Sequence, residues 1–136
     1  MRRDCYCCRG AASHFSVEIE EFALSQITTH ILDVSRGSPA SGIKVELSRI
    51  DAEGVTFIGE GITDASGRIG DFLNSDQILD AGEYQLTFEI EAFYLELSQD
   101  PFYPRVNVVF RITADGQHYH VPLLLSPFGY TTYRGS

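Results

Sequence analysis

The sequence predicts an all-β chain folded as a two-sheet sandwich. Apolar and polar residues alternate in several short runs, glycine-bearing turns separate them, and at most one stretch reads as a helix. With 136 residues there is room for one domain with one core. Hydrophobic residues make up 43% and charged residues 21%, a mix too apolar for a disordered chain.

Residues 1–26 read as an amino-terminal extension, basic up to Arg9 and acidic at Glu18, Glu20 and Glu21. Val17-Glu18-Ile19-Glu20 alternates as a short strand would. From Ile27 onward, short strand-like runs follow one another. In the first of them alternation fails, because Thr28, His30, Leu32 and Val34 share one face with a polar residue in their midst. Ile43 to Ser48, Tyr84 to Ile90 and Val106 to Ile112 alternate as half-buried strands should. The turns between them are Arg36 to Pro39, Asp51 to Gly54, Asp64 to Gly67, Asp80 to Gly82 and Ala114 to Gly116. Each supplies a glycine where positive φ would strain other residues. Two stretches are open to helix: Ser75 to Leu79, at most one turn with Ser75 as a candidate cap, and Glu91 to Leu97, which follows a strand without a breaker and reaches Pro101 soon after. Seven or eight strands with one short helix make a sandwich.

Charge and cysteines narrow the function classes. Ten Lys and Arg stand against 19 Asp and Glu, for a net charge of −9. That field excludes a nucleic-acid or anionic-membrane surface. The longest apolar run, Val121 to Leu125, contains Pro122 and falls far short of the ~20 residues that cross a bilayer. Met1-Arg2-Arg3 is followed by Asp4 and cysteines, so the start does not read as a secretory signal, and a cytosolic or organelle-lumen protein is expected. Cys5, Cys7 and Cys8 are odd in number and confined to one end, which rules out a disulfide framework for the domain. With His14 they could offer ligands to zinc, although C-x-C-C spacing wraps a tetrahedral ion poorly. A lipidated tail beside Arg2, Arg3 and Arg9 is a second reading, and a mobile extension with free thiols is the simplest.

Three places could carry chemistry. His30 interrupts an otherwise apolar strand face. His118 and His120 flank Tyr119, and strand geometry puts them on one face about 7 Å apart at ~3.3 Å per residue. Two such imidazoles can share a metal, or one can act on a substrate while the other orients it. Pro122 cannot donate to a ladder, which marks an edge or a bulge there. The third place is the compact, aromatic carboxyl end from Tyr130 to Ser136, whose last residue brings a hydroxyl and an α-carboxylate. Arg68 joins them as the residue directly after the Asp64-to-Gly67 turn.

At these residues the sequence resembles the transthyretin-like family, and within it the 5-hydroxyisourate hydrolase branch. Tyr133-Arg134-Gly135-Ser136 matches that branch's terminal tetrapeptide, and His118 to Tyr130 is similar to the block preceding it. Thr29 to Asp33 followed by Gly37, Pro39 and Gly42 resembles the opening motif. Asp64-Ala65-Ser66-Gly67-Arg68 is similar to the D-x-x-G-R turn, and Phe102-Tyr103-Pro104 to an aromatic-proline segment. The blocks run in family order from about Ile27 to Ser136, which sets residues 1–26 apart as an extension and 27–136 as the hydrolase domain.

The resemblance implies an eight-stranded transthyretin (prealbumin) sandwich, assembled as a homotetramer of two dimers with sites in the clefts where the dimers meet. It implies hydrolysis of 5-hydroxyisourate to 2-oxo-4-hydroxy-4-carboxy-5-ureidoimidazoline in urate breakdown. His30, Arg68, His120 and Ser136 carry over as catalytic, and Arg68, His118, Tyr133 and Arg134 as substrate-binding. In that chemistry His30 or His120 activates water, because an imidazole near pKa 6.5 suits a base at neutral pH. Arg68 holds the oxyanion and Ser136 positions substrate or water. No cofactor or metal is required, nor a nucleic-acid or membrane partner. The expected location is cytoplasmic, or peroxisomal in a eukaryote. The competing reading is a transthyretin-like binder of small aromatic ligands, disfavoured by this histidine and arginine set.

Overall fold

A computed structural model describes residues 25–136; Cys5, Cys7, Cys8, His14 and the Val17–Glu20 run lie outside them. The first strand, β1 (Ile27–Asp33), shows why the fold needs two sheets. Ile27, Thr29, Ile31 and Asp33 are buried on its inner face, while Thr28, His30 and Leu32 point the other way, with His30 and Leu32 only half-buried. The interrupted alternation in the sequence is therefore a strand whose outward face is itself partly covered.

β1 is the spine of the first sheet. On one side it pairs in parallel with β8 (Tyr119–Ser126), placing Thr28 opposite His120 and His30 opposite Pro122. Its other edge is shared by two dipeptide strands, β2 (Ser38–Pro39) and β5 (Arg68–Ile69), the latter setting Arg68 beside His30. β9 (Gly129–Thr132) completes the sheet on the far side of β8. The second sheet is antiparallel throughout, in the order β4 (Gly54–Ile62), β3 (Lys44–Asp51), β6 (Gly82–Glu89), β7 (Arg105–Ile112). Nine strands result among the described residues.

The core lies between the inner faces. Leu47, Leu86 and Phe88 of the second sheet meet Ile31, Leu123 and Leu125 of the first, all fully buried. Each such side chain stabilises the fold by about 1.5–3 kcal/mol relative to exposure. The one helix among the described residues, α1 (Glu91–Glu96), is too short to persist alone and has no side-chain cap. It is held by tertiary contact: Tyr94 is fully buried, and the Arg36 guanidinium lies 5.6 Å from the centroid of the Phe93 ring. Ser75 to Leu79 forms no helix; one backbone bond, Gln77 N–H to the Asn74 carbonyl at 3.1 Å, closes a turn.

Two details differ from the sequence expectation. Pro122 lies on neither an edge nor a bulge, because β8 is interior, between β1 and β9. It is tolerated because the β9 ladder ends at the Thr132–Leu123 pair and resumes only at a bridge between Gly135 and His120. Pro122 falls in that gap. The chain also engages the fold before Ile27. The Ser25 N–H donates to the Gly70 carbonyl at 2.8 Å. The Gln26 side chain accepts from the Leu79 N–H at 2.8 Å and donates to the Gln117 carbonyl at 3.1 Å.

Candidate active site

The outward face of the first sheet gathers the histidines. Arg68 is brought there by its turn: Asp64 Oδ1 accepts from the Ser66 N–H (2.9 Å), the Ser66 hydroxyl (2.7 Å) and the Arg68 N–H (3.0 Å). Gly67 closes the turn at φ +79°, and a Cβ there would sit 2.5 Å from the Ile31 carbonyl oxygen, so only glycine fits. The Gly67 carbonyl in turn accepts from the Ile31 N–H at 2.8 Å, fastening the turn to β1. Arg68 stays exposed and forms no ion pair with another described residue. Its charge is available to a ligand.

Around Arg68 the imidazoles of His30 and His120 are biased toward their neutral forms. Burial pushes His30 below the ordinary histidine value of 6.5, and Arg68 pushes it further; the Ser66 backbone and Asp64 pull weakly the other way. Burial likewise lowers His120, with Arg68, His118 and His30 adding to it. His118 and His120 are joined rather than merely parallel. His120 Nδ1 lies 2.8 Å and His118 Nε2 3.1 Å from the same atom, the Thr28 hydroxyl oxygen.

The carboxyl end packs beside this cluster. Thr132 donates its hydroxyl to the Pro122 carbonyl at 2.8 Å, and the Gly135 N–H donates to the His120 carbonyl at 2.8 Å. Ser136, exposed, follows directly. Gly135 is a matter of space: a Cβ there would meet His120 Cδ2 at 2.6 Å. Arg134 turns elsewhere, donating to Gln117 Oε1 at 2.6 Å with its guanidinium carbon 4.5 Å from the centroid of the Tyr119 ring. Tyr133 and Arg134 line a hollow of about 330 Å³ between the tail and β7, floored by Tyr119 and Val121 on the inner face of β8. Within one chain, then, His30, Arg68, His118 and His120 come together with the chain end beside them, while Tyr133 and Arg134 face the sandwich opening. Sequence reasoning missed Thr28, since a threonine in a strand reads only as a good β-former; its place on the His30 face was the available signal.

Two sheets with this outward face define a transthyretin-like sandwich, and comparison with solved structures agrees. Klebsiella pneumoniae 5-hydroxyisourate hydrolase superposes with a TM-score of 0.71 at 39% identity, covering 81% of this chain and 98% of that one. Sea bream transthyretin, solved in complex with thyroxine, superposes at 0.75 with 36% identity, covering 81% of this chain and 94% of that one. In sequence, the 5-hydroxyisourate hydrolase of Mus musculus is 46% identical over 114 residues, 82% of this chain and 96% of its own length. The family model described as HIUase/Transthyretin matches residues 27–135, and the chain belongs to that family. No helix among the described residues is long and apolar enough to cross a membrane.

Proposed function

We propose that this chain is a hydrolase that opens the cyclic amide of 5-hydroxyisourate, acting as a homotetramer. The observation that carries the reading is the convergence of two imidazoles biased toward neutrality on an arginine that forms no ion pair among the described residues, on an outward face that one chain leaves open. Names of close relatives supply the substrate class.

The residues support each step of the chemistry. His120 is the base: Thr28 engages its Nδ1, which leaves Nε2 as the nitrogen free to take a proton from the attacking water. The water oxygen bonds to the amide carbon, and the carbonyl oxygen gains negative charge. Arg68, with donors only and no competing ion pair among the described residues, stabilises that oxyanion. When the carbon–nitrogen bond breaks, the ring nitrogen takes a proton from an imidazole and the product leaves as a carboxylate. His30, opposite Arg68 in the ladder, is placed to orient the ring. Ser136 contributes its hydroxyl at the end of a tail fixed by the Gly135 bridge.

Stopped-flow absorbance with freshly generated 5-hydroxyisourate tests the reading. Decay should be strongly accelerated by the protein, and His120→Asn should slow turnover by about 10²-fold or more, the usual worth of positioned acid–base help. The sea bream relative was solved with thyroxine, so thyroxine binding without any acceleration of decay would favour a ligand carrier instead.

A further inference from the structure

We propose that Thr28 is a positioning residue that sets the protonation pattern of two histidines, holding both His118 and His120 in the Nδ1–H tautomer. The inference rests on the hydrolase reading for its kinetic consequence and on geometry for the rest. Thr28 is buried on β1, yet its hydroxyl oxygen lies 2.8 Å from His120 Nδ1 and 3.1 Å from His118 Nε2, residues about ninety positions away. A hydroxyl owns one proton. Between two rings that each carry a single N–H, it donates to one ring nitrogen and accepts from the other.

The direction follows from the charges around His120. Of the groups acting on it, Arg68 on β5 is the strongest, ahead of His118, just before β8, and His30 on β1. On the tail side its neighbour is the uncharged Gly135, while Arg134 is turned to Gln117. A guanidinium carries donors and no acceptor. The ring nitrogen left for the cleft is therefore best unprotonated, so the proton of His120 sits on Nδ1 and is donated to Thr28. Thr28 must then donate its own proton to His118 Nε2, which puts the His118 proton on Nδ1. His118 is exposed, and water can satisfy that N–H.

Two consequences distinguish this from a buried threonine that merely packs. Free histidine prefers the Nε2–H form, so a pair held as Nδ1–H is a specific signature. Removing the hydroxyl should also affect the chemical step rather than substrate binding. The test uses the full chain and three variants, Thr28→Val, Thr28→Ser and His118→Asn. Imidazole ¹⁵N spectra, which need no substrate, should show His118 and His120 as Nδ1–H in the unaltered protein and in Thr28→Ser. In Thr28→Val both should move toward Nε2–H. Kinetically, Thr28→Val should lower kcat by about 10-fold or more with little change in KM, and Thr28→Ser should restore it. His118→Asn, at an exposed position, reads the same coupling should Thr28→Val fail to fold: the His120 tautomer should loosen without any change in the core.

A His120 carrying its proton on Nε2 in the unaltered protein overturns the proposal. So does a Thr28→Val protein with unchanged tautomers, or a Thr28→Ser protein as impaired as Thr28→Val. If the spectra agree but the protein does not hydrolyse 5-hydroxyisourate, the hydroxyl linkage stands and the assigned reaction falls.

Discussion

A neutral imidazole is useful to this site only while it stays neutral, and burial followed by Arg68 keeps both His30 and His120 below 6.5. The sign of the pH response follows. The protonated form cannot accept a proton from water, so kcat/KM should be flat at neutral pH and fall on acidification with a midpoint under 6.5. Arg68→Gln removes one of the downward pushes on each ring, so its residual activity should show that midpoint displaced upward, toward 6.5. Loss of the oxyanion partner should meanwhile reduce kcat by about 10²–10³-fold. Stability moves in the same sense. A histidine whose folded pKa is depressed binds protons more readily when unfolded, so its contribution is complete above the unfolded value and is lost as pH falls from there through the folded one. A pH series of melting curves on both proteins, together with the rate profile, checks the two effects. An unmoved acid limb in Arg68→Gln would separate the arginine from the histidines.

At the scale of elements, the tail is the piece whose fit can be broken without touching the core. Gly135 has an ordinary φ, so Gly135→Ala introduces no backbone strain, only a methyl 2.6 Å from His120 Cδ2 and 3.3 Å from the Pro122 ring. The proline ring cannot yield, so the imidazole must. Displacements near 1 Å can cost ~10²-fold in rate, and the variant should lose activity on that order while its melting temperature stays close to the parent's. Near-normal turnover in Gly135→Ala would release His120 from its tail contact. The elements themselves were legible to different depths. Strands β3, β6 and β7 could be read from alternation because each has one buried face, and Arg68 from the turn that precedes it. The parallel pairing of β1 with β8 could not be read, since it joins Thr28 to His120 across nearly the whole domain. Without that pairing Pro122 looks like an edge residue and Thr28 like filler. Local pattern reports which face is buried; it is silent on which distant strand lies alongside.

At the scale of the whole molecule, the proposed tetramer would complete the site. One chain presents His30, His120, Leu32 and Leu124 on the outward face of the first sheet, with Leu32 beside Leu124 in the β1–β8 ladder and both only half-buried. A half-buried apolar ladder next to the proposed catalytic groups suits a surface that meets its own copy, because symmetric assembly would bury one patch twice and close a cleft over the histidines. Leu124 offers a clean way to ask whether this happens. It points away from the core, whereas its neighbours Leu123 and Leu125 are fully buried within it. Leu124→Glu should therefore leave the sandwich folded, with unchanged circular dichroism. In a tetramer it would place a carboxylate from every subunit at the interface, each stripped of water and facing a like charge, which is strongly unfavourable. Light scattering should then show tetramers reduced to dimers, and hydrolysis should fall with them, recovering in part at high protein concentration as mass action reassembles the cleft. A Leu124→Glu protein that stays tetrameric and fully active would move the subunit contact to another surface and leave the site complete within one chain.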